Sequence, residues 1–108
     1  MKLYVVTYFG LDKHGDEIFQ IPSYYTDSQK AKERILDLAN NVYKRTLGTY
    51  LYPSRMDVYT QLKILAEIDG ELKLMRHGIV SYSDGEEEES LADRKVVINT
   101  DSELFKSL

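Results

Sequence analysis

The chain has 108 residues, no cysteine and a formal net charge of −4, with 43% hydrophobic and 30% charged residues. This composition is typical of a folded globular protein, and it excludes disulfides, thiolate zinc sites and cysteine nucleophiles. The length predicts one compact α+β domain over residues 1–108, and the lack of cysteine favours the cytoplasm of a bacterial cell or of a phage host. No apolar run approaches the length of a membrane span, so no membrane partner is expected.

Charge is distributed unevenly along the sequence. Residues 29–55 hold six basic and two acidic groups, whereas residues 56–108 hold six basic and twelve acidic groups. We therefore expect two surfaces of opposite sign, which bears on partners rather than on the fold.

Two strands are predicted before the first helix. Residues 3–9 are almost continuously apolar, β-branched and aromatic, which favours a strand in the middle of its sheet. Residues 17–25 form a second strand, which Pro22 places at a sheet edge or at the end of the strand. His14 lies between two aspartates in the intervening turn, but a hydrophilic hairpin loop accounts for this pattern and we predict no metal site.

Residues 28–47 carry the clearest helical pattern. Their apolar residues recur at helical spacing and form one stripe, which consists of Ala31, Ile35, Leu38 and Val42. One of residues 26–28 is expected to cap the start of the helix. Lys44 and Arg45 complement the helix dipole at its other end.

The polarity of residues 57–68 alternates, which predicts a half-buried strand. A helix through Val58, Leu62 and Leu65 is the alternative. Asp69 and Gly70 then mark a hairpin turn into a strand over residues 71–82.

The loop length of this hairpin decides which residues are buried. A three-residue loop pairs Ala66 with Leu72 and places the apolar residues of both arms on one face. A two-residue loop pairs Ala66 with Lys73 instead and sends Leu72 and Leu74 to the wet face. We therefore predict the three-residue loop.

A charged loop, a short strand over residues 95–99 and a last helical turn that buries Leu104 and Phe105 complete the predicted elements. The expected architecture is an antiparallel sheet of four to five strands packed on the helix at residues 28–47.

No catalytic motif is found. The sequence lacks a phosphate-binding loop, a serine nucleophile elbow and a zinc-protease helix. We therefore predict no catalytic residue, no metal and no cofactor. An enzyme is the remaining alternative, because carboxylates and tyrosines act as acids and bases once a fold assembles them.

The first candidate contact surface is basic and aromatic. It consists of Tyr43, Lys44, Arg45, Tyr50, Tyr52 and Arg55. Tyrosine and arginine are enriched in protein hot spots, and basic residues with aromatic ones also suit single-stranded nucleic acid. The alternative is that the tyrosines pack in the core while the cations complement the helix dipole.

The second candidate surface is acidic and consists of Asp84, Glu86, Glu87, Glu88, Glu89 and Asp93. A solvated loop is one interpretation. The other is that a row of carboxylates imitates a nucleic-acid backbone and occupies a basic groove on another protein. Small acidic counter-defence proteins of phages, including some anti-CRISPR proteins, act in this way, and the segment is similar to theirs in type only.

The sequence thus predicts a small non-enzymatic binding or inhibitory protein, of phage or mobile-element origin, that contacts a protein partner through these two surfaces. A nucleic-acid-binding module at residues 43–55 is the alternative, disfavoured by the acidic net charge. A homodimer is a further option that the sequence leaves open.

Overall fold

The computed structural model describes residues 1–49, 56–84 and 94–108. In this part of the chain the elements are β1 (Lys2–Asp12), β2 (Glu17–Tyr25), α1 (Ser28–Asp37), a π-helical segment (Leu38–Val42), α2 (Tyr43–Thr49), β3 (Met56–Ile68), β4 (Glu71–Asp84), β5 (Lys95–Ile98) and α3 (Glu103–Lys106). The predicted α+β architecture is confirmed: a five-stranded antiparallel sheet packs on one main helix.

The order of the strands in the sheet is β2-β1-β3-β4-β5. β1 lies inside the sheet between β2 and β3, as its continuous apolar sequence predicts. β2 is an edge strand, which accommodates Pro22, a residue without an amide hydrogen. The alternative that residues 57–68 form a helix is wrong, since they belong to β3.

The main helix begins where the sequence predicts. The carboxylate of Asp27 accepts a hydrogen bond from the backbone N–H of Gln29 and caps α1. The stripe packs on the sheet with Ala31, Ile35 and Leu38 fully buried. Ile35 and Leu38 contribute most to holding the helix on the sheet, because burial of each large apolar side chain contributes about 1.5–3 kcal/mol.

The hydrophobic core lies between the helix and one face of the sheet. Its largest fully buried side chains are Tyr43, Ile35, Leu38, Met56, Leu62, Val6, Val58 and Val80. α3 closes one side of this core with Leu104 and Phe105, as predicted. The hydroxyl of Ser102 caps α3 by accepting a hydrogen bond from the Phe105 N–H.

The predicted register of the β3–β4 hairpin is wrong. Ile68 pairs with Glu71 and Ala66 with Lys73, so the loop has two residues. Asp69 and Gly70 both adopt positive φ angles of 53° and 79°. Two consecutive positive φ angles are the signature of the type I′ turn, whose twist matches that of the flanking strands.

Two one-residue register shifts change the pairing of β3 with β4 farther from the turn. One lies between Ile64 and Leu65, and the other between Thr60 and Gln61. Gly78 lies between the two shifts and pairs regularly with Leu62. The shifts return the middle of β4 to a register that the core accepts.

Candidate functional site

The basic and aromatic segment is divided between the core and the surface. Tyr43 is fully buried, whereas Lys44 and Arg45 are exposed on α2. Tyr43 is therefore a core residue, which is the alternative that the sequence left open, and it offers no surface to a partner. The other three predicted contacts, Tyr50, Tyr52 and Arg55, lie outside the described residues.

Tyr43 is held by a buried polar network. Its hydroxyl is hydrogen-bonded to Thr60 Oγ1 and to Ser81 Oγ, at 2.8 Å in the second case. Its ring stacks on the ring of Tyr8 with centroids 5.4 Å apart. Burial raises the pKa of Tyr43 to about 12 and also raises the pKa of Tyr8. Both phenols are therefore neutral at physiological pH, and this network is structural.

The π-helical segment sets the position of the residues around Tyr43. Leu38–Val42 makes i→i+5 hydrogen bonds, which add one residue to a turn and shift every later side chain around the helix. Asn40 and Lys44 line a cavity at this point. No feature of the sequence predicts the wide turn.

This cavity has a volume of about 440 Å³ and is lined by cations. Among the described lining residues, Lys44, Arg94 and Lys95 are basic and none is acidic. Nη1 of Arg94 donates to the Asp57 carboxylate at 3.2 Å, and the side chain of Arg94 is fully buried. The cavity thus joins a predicted contact residue, Lys44, to two cations that the sequence analysis did not assign.

The acidic surface cannot be assembled from the described residues. Asp84 is exposed at the end of β4. The remaining predicted residues, Glu86, Glu87, Glu88, Glu89 and Asp93, lie outside the part of the chain that the structure describes. Their role as contacts stays a prediction.

The structure shows another surface, which the sequence analysis missed: the free edge of β4. β5 pairs with β4 only at Ser81 to Asp84, and Asn99 hydrogen-bonds the carbonyl groups of Ile79 and Val80. Among the described residues, nothing pairs with this edge over residues 71–78. The free edge therefore presents unpaired main-chain donors and acceptors.

Large apolar side chains follow this free edge. Leu72, Leu74 and Met75 are 52%, 50% and 54% exposed. The two leucines lie on the face opposite the helix, because they pair with Glu67 and Leu65 of β3. Apolar side chains beside an unpaired strand edge are typical of a site that receives another strand.

A groove lies on the opposite face, the face that carries the helix, over β1 and β3. Its volume is about 230 Å³, and Tyr4, Ile64 and Ala66 form an apolar floor. Met75 and Arg76 of β4 line it on one side, and Lys2 and Ser107 are also among its lining residues. β4 thus lies between the groove floor and the free edge, and an added strand would meet the exposed leucines on the other face.

The free edge had a signal in the sequence. Asp69-Gly70 is the standard two-residue turn, and this loop length alone predicts exposed leucines at positions 72 and 74. The three-residue loop is predicted instead only if the apolar residues of both arms must be buried. The exposed leucines that the two-residue loop predicts were therefore the sequence signal for this surface.

Comparisons with known proteins identify no relative. No family model matches the sequence, and no curated protein or solved structure matches it significantly. No helix in the described ranges is long and apolar enough to cross a membrane.

Proposed function

We propose that this chain is a non-enzymatic binding protein whose protein partner adds an extended segment to the free edge of β4. The observation that carries the proposal is that, among the described residues, no strand pairs with the outer edge of β4 over residues 71–78, where Leu72, Leu74 and Met75 are exposed. Main-chain hydrogen bonds supply affinity in such complexes, and the flanking side chains supply specificity.

An open strand edge of this kind promotes aggregation unless a partner covers it. Natural proteins protect edge strands with short length, proline, charged side chains, bulges or a covering element, because open edges template aggregation. β2, the other edge strand, carries Pro22 within its pairing with β1. β4 is 14 residues long, and although Lys73, Arg76 and one register shift lie in its open part, Leu72, Leu74 and Met75 stay exposed there and no proline interrupts it. The difference between the two edges supports a binding role for β4.

The shape of the molecule makes this edge accessible. The described pairing of β1 with β3 ends at Lys2 and Ala66, so the hairpin tip at residues 67–72 extends beyond β1. The principal dimensions are 49 × 24 × 19 Å, with one axis about twice as long as the others. A partner can therefore approach the hairpin without displacing the helix.

The test is a comparison of two double variants in a native-lysate capture experiment. Leu72→Lys with Leu74→Lys places charge beside the free edge and should abolish capture of a specific protein. Ile21→Lys with Tyr24→Lys alters exposed apolar residues of β2, 50% and 64% exposed, and should leave capture intact. Circular dichroism of both variants verifies the fold.

Equal capture by the two double variants would contradict the proposed site. Turnover of a small molecule by the purified protein, together with no captured protein, would contradict the binding function itself. The inhibitory role in counter-defence is a narrower proposal that rests on the acidic residues at positions 84–93. Replacement of Glu86 to Glu89 by glutamine should then abolish inhibition of a nucleic-acid-binding partner.

A second candidate function is nucleic-acid binding at the cavity beside Lys44. The cavity's two exposed cations, Lys44 and Lys95, support it, since phosphate contacts by lysine and arginine dominate such affinity. Single-stranded DNA should bind with an affinity that falls steeply as the salt concentration rises. Lys44→Glu with Lys95→Glu should abolish this binding. Lys13→Glu with Lys30→Glu makes the same charge change at exposed positions elsewhere and is the control.

A further inference from the structure

The groove over β1 and β3 is a site separate from the free edge of β4, because β4 lies between the two. Its lining joins an apolar floor to two cations, Lys2 and Arg76. We propose that the groove binds a small monocarboxylate, whose apolar body lies on the floor and whose carboxylate is held by Arg76 and Lys2.

The floor of the groove is apolar because of the pairing of β1 with β3. Tyr4 and Ile64 lie opposite each other and are only 7% and 5% exposed, and Ala66 follows Ile64 on the same face. The single methyl group of Ala66 leaves open the space that a larger side chain would fill. Met75, whose unbranched side chain adapts its shape, lines the groove on the β4 side. The floor therefore favours an apolar ligand.

The volume of the groove limits the size of this ligand. It is about 230 Å³, and one water molecule has a share of about 30 Å³ in the liquid. The groove therefore has room for an apolar body of roughly seven or eight carbon atoms. A helix or a strand of a partner protein is too large for this space.

The two cations flank the floor from opposite sides. Lys2 of β1 pairs with Ala66, and Arg76 of β4 pairs with Ile64, so both cations lie on the face that carries the groove. β1 and β4 are the two neighbours of β3, about 10 Å apart, and both side chains are long enough to reach a carboxylate between them. The planar guanidinium of Arg76 binds both oxygens of a carboxylate, and the ammonium of Lys2 adds a second charge.

The groove supplies no counterion for these cations. Lys2 and Arg76 take part in no ion pair within the described ranges, and no described lining residue is acidic. Glu71, the acidic residue of β4 on this face, lies nearer the turn, opposite Ile68. In a chain of net charge −4, this local excess of positive charge favours an anion.

The floor and the cations together decide the class of ligand. An inorganic anion would meet the cations but leave the apolar floor bare, and a neutral apolar molecule would leave the cations without a counterion. A molecule with an apolar body and one carboxylate satisfies both features.

The test is a titration of the isotope-labelled full chain with three small molecules. Octanoate has a carboxylate and an apolar chain of the required length, octanamide has the chain without the charge, and acetate has the charge without the chain. At low ionic strength, octanoate should bind at least about tenfold more tightly than either of the others. Its amide chemical-shift changes should concentrate at Lys2, Tyr4, residues 64–66 and residues 75–76.

Two variants locate the binding. Ala66→Leu fills the floor and should abolish octanoate binding. Lys2→Gln with Arg76→Gln removes both cations and should abolish the preference for octanoate over octanamide. Lys13→Gln with Lys30→Gln makes the same charge change at exposed positions outside the groove and should retain this preference. Circular dichroism verifies the fold of all three proteins.

Three outcomes would overturn the inference. Equal binding of octanoate and octanamide removes the carboxylate requirement. An equal loss of the preference in both charge-neutralising variants shows a net-charge effect rather than a site. Unchanged chemical shifts at the groove in millimolar octanoate remove the stated ligand class. The capture experiment at the free edge changes leucines of the other face, so its result decides the proposed function separately.

Discussion

β3 and β4 run through two regions that obey different constraints: the region of the sheet under the helix, and the projecting hairpin. Under the helix, Val58 and Leu62 of β3 and Val80 of β4 are fully buried. In the hairpin, Ile68 and Leu72 are 39% and 52% exposed. The helix ends before it covers the hairpin, so the same two strands pass from a packed core into solvent.

The two regions differ in what determines the register of the strands. Under the helix, a slip of one residue would turn buried side chains to solvent, so the core selects the pairing. In the hairpin no described element covers either face completely, and the Asp69-Gly70 turn selects it instead. The two one-residue shifts in β4 reconcile the two registers. Buried apolar surface is thus concentrated in one region, and exposed apolar surface in the other.

The largest expected effect tests that division directly. Leu62→Ala removes a fully buried side chain and should lower the free energy of unfolding by about 2–5 kcal/mol. Leu72→Ala, in the hairpin, should change it by less than about 0.5 kcal/mol. Urea denaturation followed by circular dichroism measures both. Similar losses in the two variants would show that the hairpin is part of the packed core.

Alkaline pH provides a second test of the helix-covered region. Burial raises the pKa of Tyr43 to about 12 from an ordinary value of 10.0. The unfolded chain therefore loses this proton first, and stability is fully present below pH 10. Between pH 10 and 12 the free energy of unfolding should fall by about 1.4 kcal/mol per pH unit from this group, and Tyr8, whose pKa is also raised, acts in the same direction.

Matched variants identify the group responsible. Tyr43→Phe should flatten the fall in stability between pH 10 and 12, measured by urea denaturation at several pH values. Tyr24→Phe alters a tyrosine that is 64% exposed and should retain the full slope. A slope that is the same in both variants would exclude Tyr43 as its source.

Much of the fold could be predicted because local signals and packing agree there. The stripe of Ala31, Ile35 and Leu38 and the cap at Asp27 place α1 correctly, and Pro22 identifies an edge strand. The π-helical segment could not be predicted, because its wide turn leaves the apolar spacing almost unchanged and depends on how Tyr43 reaches its buried hydrogen bonds.

The candidate site was harder to predict than the fold, because sequence patterns were interpreted on the assumption that apolar residues are buried. That assumption fails at Leu72 and Leu74, where turn chemistry prevails and the side chains stay in solvent. Tyr43 shows the opposite case: its basic neighbours suggested a contact surface, but its side chain is buried in the core. Burial depends on which elements meet in three dimensions, and one strand pattern fits both outcomes.

A smaller effect is expected from the turn. Gly70 has a φ of +79°, and an alanine there should destabilise the hairpin by about 1 kcal/mol. Amide hydrogen exchange should become about fivefold faster for residues 66–73, while the amides of residues 58–62 keep their protection. Asp69→Asn is the control, because asparagine tolerates the left-handed conformation and should leave exchange unchanged. Faster exchange throughout the sheet would show that the two regions unfold as one unit.

The smallest effect on stability is expected at the exposed leucines, and it separates binding from folding. Leu72→Thr with Leu74→Thr keeps β-forming residues on the strand, so the free energy of unfolding should change by less than about 0.5 kcal/mol. If two copies associate through the free edge of β4, these substitutions should shift the protein from dimer to monomer in analytical ultracentrifugation. Ile21→Thr with Tyr24→Thr, on β2, should leave the mass unchanged. A wild-type protein that is monomeric at high concentration excludes the second copy as occupant, and the edge is then free to accept a different chain.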